Sequence, residues 1–257
     1  MKDKQRVIVV GLGEVGRPLF ELMSQYHDTI GVDISPVDPV SGVDVLHICF
    51  PFEIQDFIGE TAHYIDLYKP TLTIINSTVA IGTTRAIAER TGVSVVNSPI
   101  RGKHARMLEE LSLYIKFIGA MDPDSGERAA KHFQSAGLTS RVLSSPEASE
   151  LAKLTETTYF GLLIAWAQEV ERYCDATGAD YNEVVSFYEE IKYLPRVKFT
   201  PGAIGGHCVM PNIKILRSLD HSDILAAIES SNAMKVEREK LKQEFQASGL
   251  RQETVNA

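Results

Sequence analysis

The order of apolar segments predicts the α/β class, a doubly wound parallel sheet followed by an all-helical second domain. Short β-branched runs alternate with amphipathic stretches up to about residue 144, a glycine-rich turn follows the first run, and a helical pattern continues unbroken from 146 to 177. Such alternation implies parallel strands with helices packed on both faces.

The first run, RVIVV at 6–10, is followed by GLGEVG and then by RPLFELMSQY, whose Leu19, Phe20, Leu22 and Met23 share one side. That reads as strand, tight turn, helix. TIGVDI supplies a second strand, and VDVLHICF, a helix around 53–68, LTIINST, a helix at 82–90 and VSVVNSP continue the alternation. The loop SPVDPVSG is too short for the helix and strand that usually come after the second strand, so the sheet is expected to be trimmed on that side. YIKFIGA, a helix in ERAAKHFQSAG and the strand SRVL complete a first domain at 1–144. Ser144 or Ser145 can then cap a helix with Pro146 in its first turn and Glu147 and Glu150 near its positive end. With Gly178 as its stop, this helix runs about 45 Å. A helix at about 180–192, an irregular Pro/Gly segment from Tyr193 to Asn212 and two further helices fill a second domain at 145–257.

A length of 257 residues suits one α/β domain plus a smaller partner. Hydrophobic residues at 44% and charged residues at 23% describe a globular chain, with no apolar run of the roughly 20 residues that span a bilayer. The start, MKDKQRVIVVGLG, lacks a secretory h-region, so a cytoplasmic location without membrane contact is expected. A net charge of −8 opposes binding to nucleic acid. Cys49, Cys174 and Cys208 are far apart and show no C-x-x-C or His-rich spacing, which argues against a disulfide framework and against a metal site.

Gly11, Gly13 and Gly16 fit G-x-G-x-x-G between strand and helix: the first makes the turn, the second lets backbone approach a pyrophosphate, the third allows close helix packing. Asp33, about 20 residues on at the end of the next strand, can bond both hydroxyls of a ribose. Together these are the signature of a Rossmann-like domain. Asp33 would repel a 2′-phosphate, so NAD is expected over NADP, and S-adenosylmethionine, which offers the same ribose, is the alternative ligand. Arg101, Lys103, His104 and Arg106 make a basic cluster just after a strand end, suited to an anionic substrate. Lys153 shares a helix side with Thr157, Phe160 and Ile164. Cys208 follows Gly205-Gly206-His207, where small residues let the backbone into a tight space, and a thiol beside an imidazole or ammonium ionises more readily.

Four segments resemble the UDP-glucose/GDP-mannose dehydrogenase family, within the 6-phosphogluconate/3-hydroxyacid dehydrogenase group. VIVVGLGEVGRPL is similar to its opening turn, INSTVAIGTTR to its S-T-V-P-P-G-T-T segment, SELAKLTETTYFGLLIAWAQEVERYCDATGAD to its central helix, and FTPGAIGGHCVMPN to its P-G-x-G-x-G-G-H-C-x-P segment. The resemblance implies that Thr78 lies by the cofactor, that Lys153 sits at the reacting sugar and that Cys208 is the catalytic thiol, which can trap an aldehyde as a thiohemiacetal. On this reading the cofactor site comprises Gly11, Leu12, Gly13, Glu14, Val15, Gly16, Asp33, Phe50, Pro51, Ser77 and Thr78. Arg101, Lys103, His104, Thr157, Gly205, Gly206, His207 and Asn212 are the expected substrate contacts. The sequence departs from the family at Ile100, Thr157 and Asn212, where a Glu, an Asn and an Asp are usual, and on this reading no residues are expected for the third domain that grips the UDP or GDP moiety. The implied activity is NAD-dependent oxidation or reduction of a small anionic alcohol or carbonyl compound, a sugar or sugar nucleotide included. The alternatives are an S-adenosylmethionine-dependent methyltransferase on the same turn and a non-catalytic NAD-binding protein. Trp166 and the apolar face of the helix at 146–177 are expected to be core or the contact of a homodimer.

Overall fold

The computed structural model describes residues 4–34, 40–102, 106–192, 200–206, 208–219 and 221–253, the side chains of 247–253 excepted. The chain divides into two compact units, 1–153 and 154–257.

The first unit is built on a seven-stranded sheet. In chain order its strands are β1 (Arg6–Val10), β2 (Asp28–Val32), β3 (Val45–Ile48), β4 (Leu72–Ile75), β5 (Val95–Asn97), β6 (Lys116–Gly119) and β7 (Ser140–Leu143), arranged β2-β1-β3-β4-β5-β6-β7. Among the described residues no strand flanks β2 on its outer side, in line with the expected trimming. All pairings are parallel except β5 with β6, which meet antiparallel at Asn97 and Gly119. The doubly wound, mostly parallel sheet matches the expected fold class, with one antiparallel pairing added. The short helix α4 (Met107–Leu113), absent from the sequence reading, returns the chain to the same edge instead of crossing the sheet.

The strands alternate side chains across the sheet, and two separate apolar layers result. Val7, Val9, Val45 and Ile74 pack with α1 (Gly16–Ser24), α4 and α5 (Pro123–Ser135) through Leu19, Leu111 and Phe133. Ile8, Val10, Leu46 and Ile75 pack instead with α2 (Phe57–Tyr68) and α3 (Thr83–Thr91) through Ile65 and Ile87. Both faces are therefore covered, as in a doubly wound fold. Helix α5 begins four residues before the predicted stretch, because Asp122 accepts from the Ser125 amide at 2.8 Å and Pro123 opens the first turn.

The long helix α6 spans Pro146–Thr177, as predicted, and stops where Gly178 takes φ +73° and donates to Cys174 O. In the second unit α8 (Val209–Arg217) and α9 (Asp223–Glu253) pack with α6 around Val209, Ile213 and Ile228, while α7 (Tyr181–Glu190) packs through Val185 against Val170 and Cys174. Gly161 is small because Val209 sits where a Cβ would go, with 2.4 Å between them. The segment expected to be irregular as far as Asn212 ends earlier, since α8 starts at Val209 with Pro211 tolerated in its first turn. Trp166 is 52% exposed rather than part of this core.

Candidate functional site

Parallel register brings the predicted cofactor residues to one edge. Val10 pairs with Val32 and Ile48, and Ile48 with Ile75, so the strand ends align and Gly11, Asp33, Phe50 and Ser77 each follow within two residues of an end. Open α/β sheets bind ligands in this position.

The three glycines are required for three different reasons. Gly11 has φ +88°, and a Cβ there would lie 2.7 Å from the Phe50 amide nitrogen. At Gly16 a Cβ would fall 1.7 Å from Gly11 O, so the first turn of α1 can close on the strand end only without a side chain. Gly13 is exposed and nothing lies within 4 Å of its Cβ position. Protein packing therefore does not account for Gly13. Leu12 and Val15 turn inward onto the apolar layer, while Glu14 is exposed.

A cleft of about 800 Å³ opens beside this turn and is lined by Gly11, Asp33, Phe50 and Tyr64 among others. That volume suits a cofactor. Asp33 is exposed at the tip of β2, where a ribose could reach it. The Phe50 ring packs tilted against Phe57, centroids 4.9 Å apart, and so is held as an apolar wall. Ser77 Oγ donates to Phe50 O at 2.6 Å, tying the end of β4 to the end of β3. Pro51 is exposed and Thr78 half-buried beside these. The open Cβ position at Gly13 and the exposed Asp33 carboxylate leave room for the diphosphate and ribose of a dinucleotide.

Farther along the same edge lies a positive corner. Lys116 is buried and donates from Nζ to Ser98 O at 2.9 Å, with the Phe133 ring 5.2 Å away. Burial pushes its pKa down to about 7, opposed by Cys49 and assisted by the charges of Lys153 and Arg101. Those two predicted site residues thus act on one point, although Lys116 itself went unread because a lone lysine in an apolar strand gives no motif. Arg101 lies over the Tyr114 and Phe117 rings, 5.5 Å from each. Ile100, at the position of the family's Glu, is buried in the apolar layer. Lys103, His104 and His207 lie outside the described residues.

In the helical unit Cys208 is exposed and occupies the N-cap of α8, with Gly205 and Gly206 also exposed before it. Negative charge developing on sulfur is favoured at that end of a helix. Asn212 is buried one turn later and Thr157 is buried on α6. Among the described residues no group of three potential ligands could hold a metal, and no helix is long and apolar enough to cross a membrane.

Glu150 takes a role that the sequence reading missed. Its carboxylate accepts from the Gly82 amide at 2.7 Å and from Thr84 N and Oγ1 at 2.9 and 2.6 Å, so it caps α3 rather than only lying in the first turn of α6.

Comparison with known proteins agrees with this geometry. Residues 147–237 match the central domain of the UDP-glucose/GDP-mannose dehydrogenase family. A UDP-N-acetyl-D-mannosamine dehydrogenase of Methanocaldococcus jannaschii is 26% identical over 255 residues, covering 80% of this chain and 60% of that protein. An NDP-N-acetyl-D-galactosaminuronic acid dehydrogenase of Ralstonia nicotianae is 23% identical, covering 80% of this chain and 63% of that one. The chain therefore spans about three fifths of the length of the curated relatives it matches. In fold it is similar to the solved UDP-D-ManNAc dehydrogenase from Pyrococcus horikoshii, with a TM-score of 0.79 at 19% identity over 96% of this chain and 72% of that one. The likeness to the UDP-glucose/GDP-mannose dehydrogenase family is carried by the central domain at residues 147–237.

Proposed function

We propose that the chain is an NAD-dependent dehydrogenase whose substrate is an anionic sugar derivative, a nucleoside-diphosphate sugar of the kind named for its relatives. The observation that carries this reading is the cleft at the strand ends, where Gly13 has open space at its Cβ position and Asp33 stands at the tip of the neighbouring strand.

The backbone from Gly11 to Gly16 would hold the diphosphate at the start of α1, and Asp33 would accept from the ribose hydroxyls. Phe50, Pro51, Ser77 and Thr78 would flank the rest. Bound NAD supplies a ring that takes up hydride. Arg101 would meet substrate charge, and the Lys153 ammonium would orient a substrate oxygen. Cys208 would add through sulfur to an aldehyde carbon, the carbonyl oxygen taking the thiol proton, to give a thiohemiacetal. Thr157, Gly205, Gly206 and Asn212 would complete the sugar contacts. A homodimer through α6 is part of the proposal, supported by half-exposed Tyr159, Trp166 and Tyr173, whose spacing places them along one side of the helix.

Turnover tests the assignment. The protein is expected to reduce NAD when given a UDP-N-acetylhexosamine, with the rate falling about 100-fold in Lys153→Met and in Cys208→Ala. Full activity in both variants, or no NAD reduction with UDP-N-acetylhexosamines, UDP-hexoses and GDP-mannose alike, would overturn it.

A further inference from the structure

The α/β unit has a second concavity, at the opposite, N-terminal edge of its sheet. A basin of about 390 Å³ is bounded by the starts of β1, β3 and β4, the turn before β2, and α5. Its lining includes Lys4, Arg128, Lys131 and the carboxylate of Asp44, and on the exposed side of α5 Arg128 pairs with Asp124 at 2.9 Å and Lys131 with Glu127 at 2.7 Å. Asp44 is already engaged, accepting from the Arg6 amide at 2.7 Å. Arg128 is held in place by donating to Thr71 O at 2.9 Å and to Ser94 Oγ at 2.6 Å.

Hydrogen bonds fix the state of the two histidines at the basin. Asn76 donates from Nδ2 to Ile74 O and to His47 Nδ1, at 3.1 and 3.0 Å, so His47 carries its proton on Nε2. That proton is donated to His132 Nε2 at 2.9 Å, and His132 Nδ1 in turn donates to Gln5 Oε1 at 2.8 Å. Gln5, which lines the basin, is left with its amide hydrogens to donate. Ser135 Oγ donates to His132 O at 2.7 Å and so accepts from His27 Nε2 at 3.1 Å. His27 Nδ1 is then a buried acceptor without a partner among the described residues, on a ring only 6% exposed. An unpartnered buried acceptor is destabilising, and a proton or a ligand hydroxyl would satisfy it.

We propose that this basin is a second anion-binding site, taking the phosphate of a small phosphorylated organic molecule. Lys4 and the Gln5 amide supply charge and donors for the phosphate, Arg128 and Lys131 add theirs in exchange for weak exposed ion pairs with Asp124 and Glu127, and the His27 nitrogen supplies an acceptor for a hydroxyl on the organic part. The volume sits at the low end of ligand pockets, which sets the size of the guest. The proposal does not rest on the NAD reading, because the glycine turn lies at the other end of the strands.

Titration calorimetry of the full chain with inorganic pyrophosphate, at ionic strength matched with KCl, tests it. One site is expected that survives Gly13→Val, which fills the glycine turn, and that weakens roughly tenfold or more in Lys4→Ser/Lys131→Ser. Both lysines are exposed, so an unchanged melting curve for the double variant is expected alongside. Loss of binding in Gly13→Val with retention in the double variant, equal binding by all three proteins, or no binding overturns the proposal.

Discussion

Helices α1 and α3 both start at the C-terminal edge of the same sheet and both point a positive helix end at it, yet they are finished differently. At α1 the N-cap is Val15, no side chain caps it, and the first turn holds no acidic residue. At α3 the N-cap is Gly82, and a carboxylate from 66 residues away, that of Glu150, accepts from the Thr84 amide and hydroxyl and from Gly82. One end is closed by the protein's own anion, and the other is open beside a cleft. Helix N-termini favour negative charge, so the contrast supports the proposal that α1 is the end that takes an anion from outside.

The largest effect is expected where the open end is closed by force. Gly16→Ala puts a Cβ into Gly11 O, and urea denaturation should show a loss of about 3 kcal/mol or more, since backbone must move. A loss below about 1 kcal/mol would mean that the turn is slack and the open end is not a built feature. Opening the closed end should matter less. Glu150→Ala strips three hydrogen bonds from α3 and is expected to destabilise the unit by roughly 2 kcal/mol, with faster hydrogen exchange in the first turn of α3. Unchanged exchange there would break the comparison.

A smaller, graded effect comes from the histidines at the far edge. Burial pushes the His132 pKa down to about 3 and holds His47 well below its ordinary value. Both bind protons more readily when unfolded, so their contribution is complete above about pH 6.5 and is lost as pH falls toward about 3. Stability should drop by about 1.4 kcal/mol per pH unit for each of the two below pH 6.5, and denaturation curves at stepped pH check this. A flat response between pH 6.5 and 5 would mean that the pair is not held neutral.

The α/β half of this architecture was legible because strand periodicity, glycine spacing and Asp33 are local signals. Glycine at 11, 13 and 16 needs only a turn to have meaning, and α6 was readable from its capping residues and its stop at Gly178. What escaped depended on distant partners. Helix α4 is seven residues long and carries no distinct period, and the antiparallel entry of β6 follows from where α4 delivers the chain. Glu150 looked like a first-turn acid because nothing in the sequence says that Gly82 lies beside it. The chain from Gln5 through His132 and His47 to Asn76 joins residues up to 127 positions apart, beyond any motif.

Fluorescence titration with NADH tests the open end of α1 most directly. Wild-type protein should bind saturably, while Gly13→Val should keep its melting temperature, because nothing lies within 4 Å of the added Cβ, and lose NADH binding. Undiminished binding by Gly13→Val, or no binding by the wild type, would contradict it.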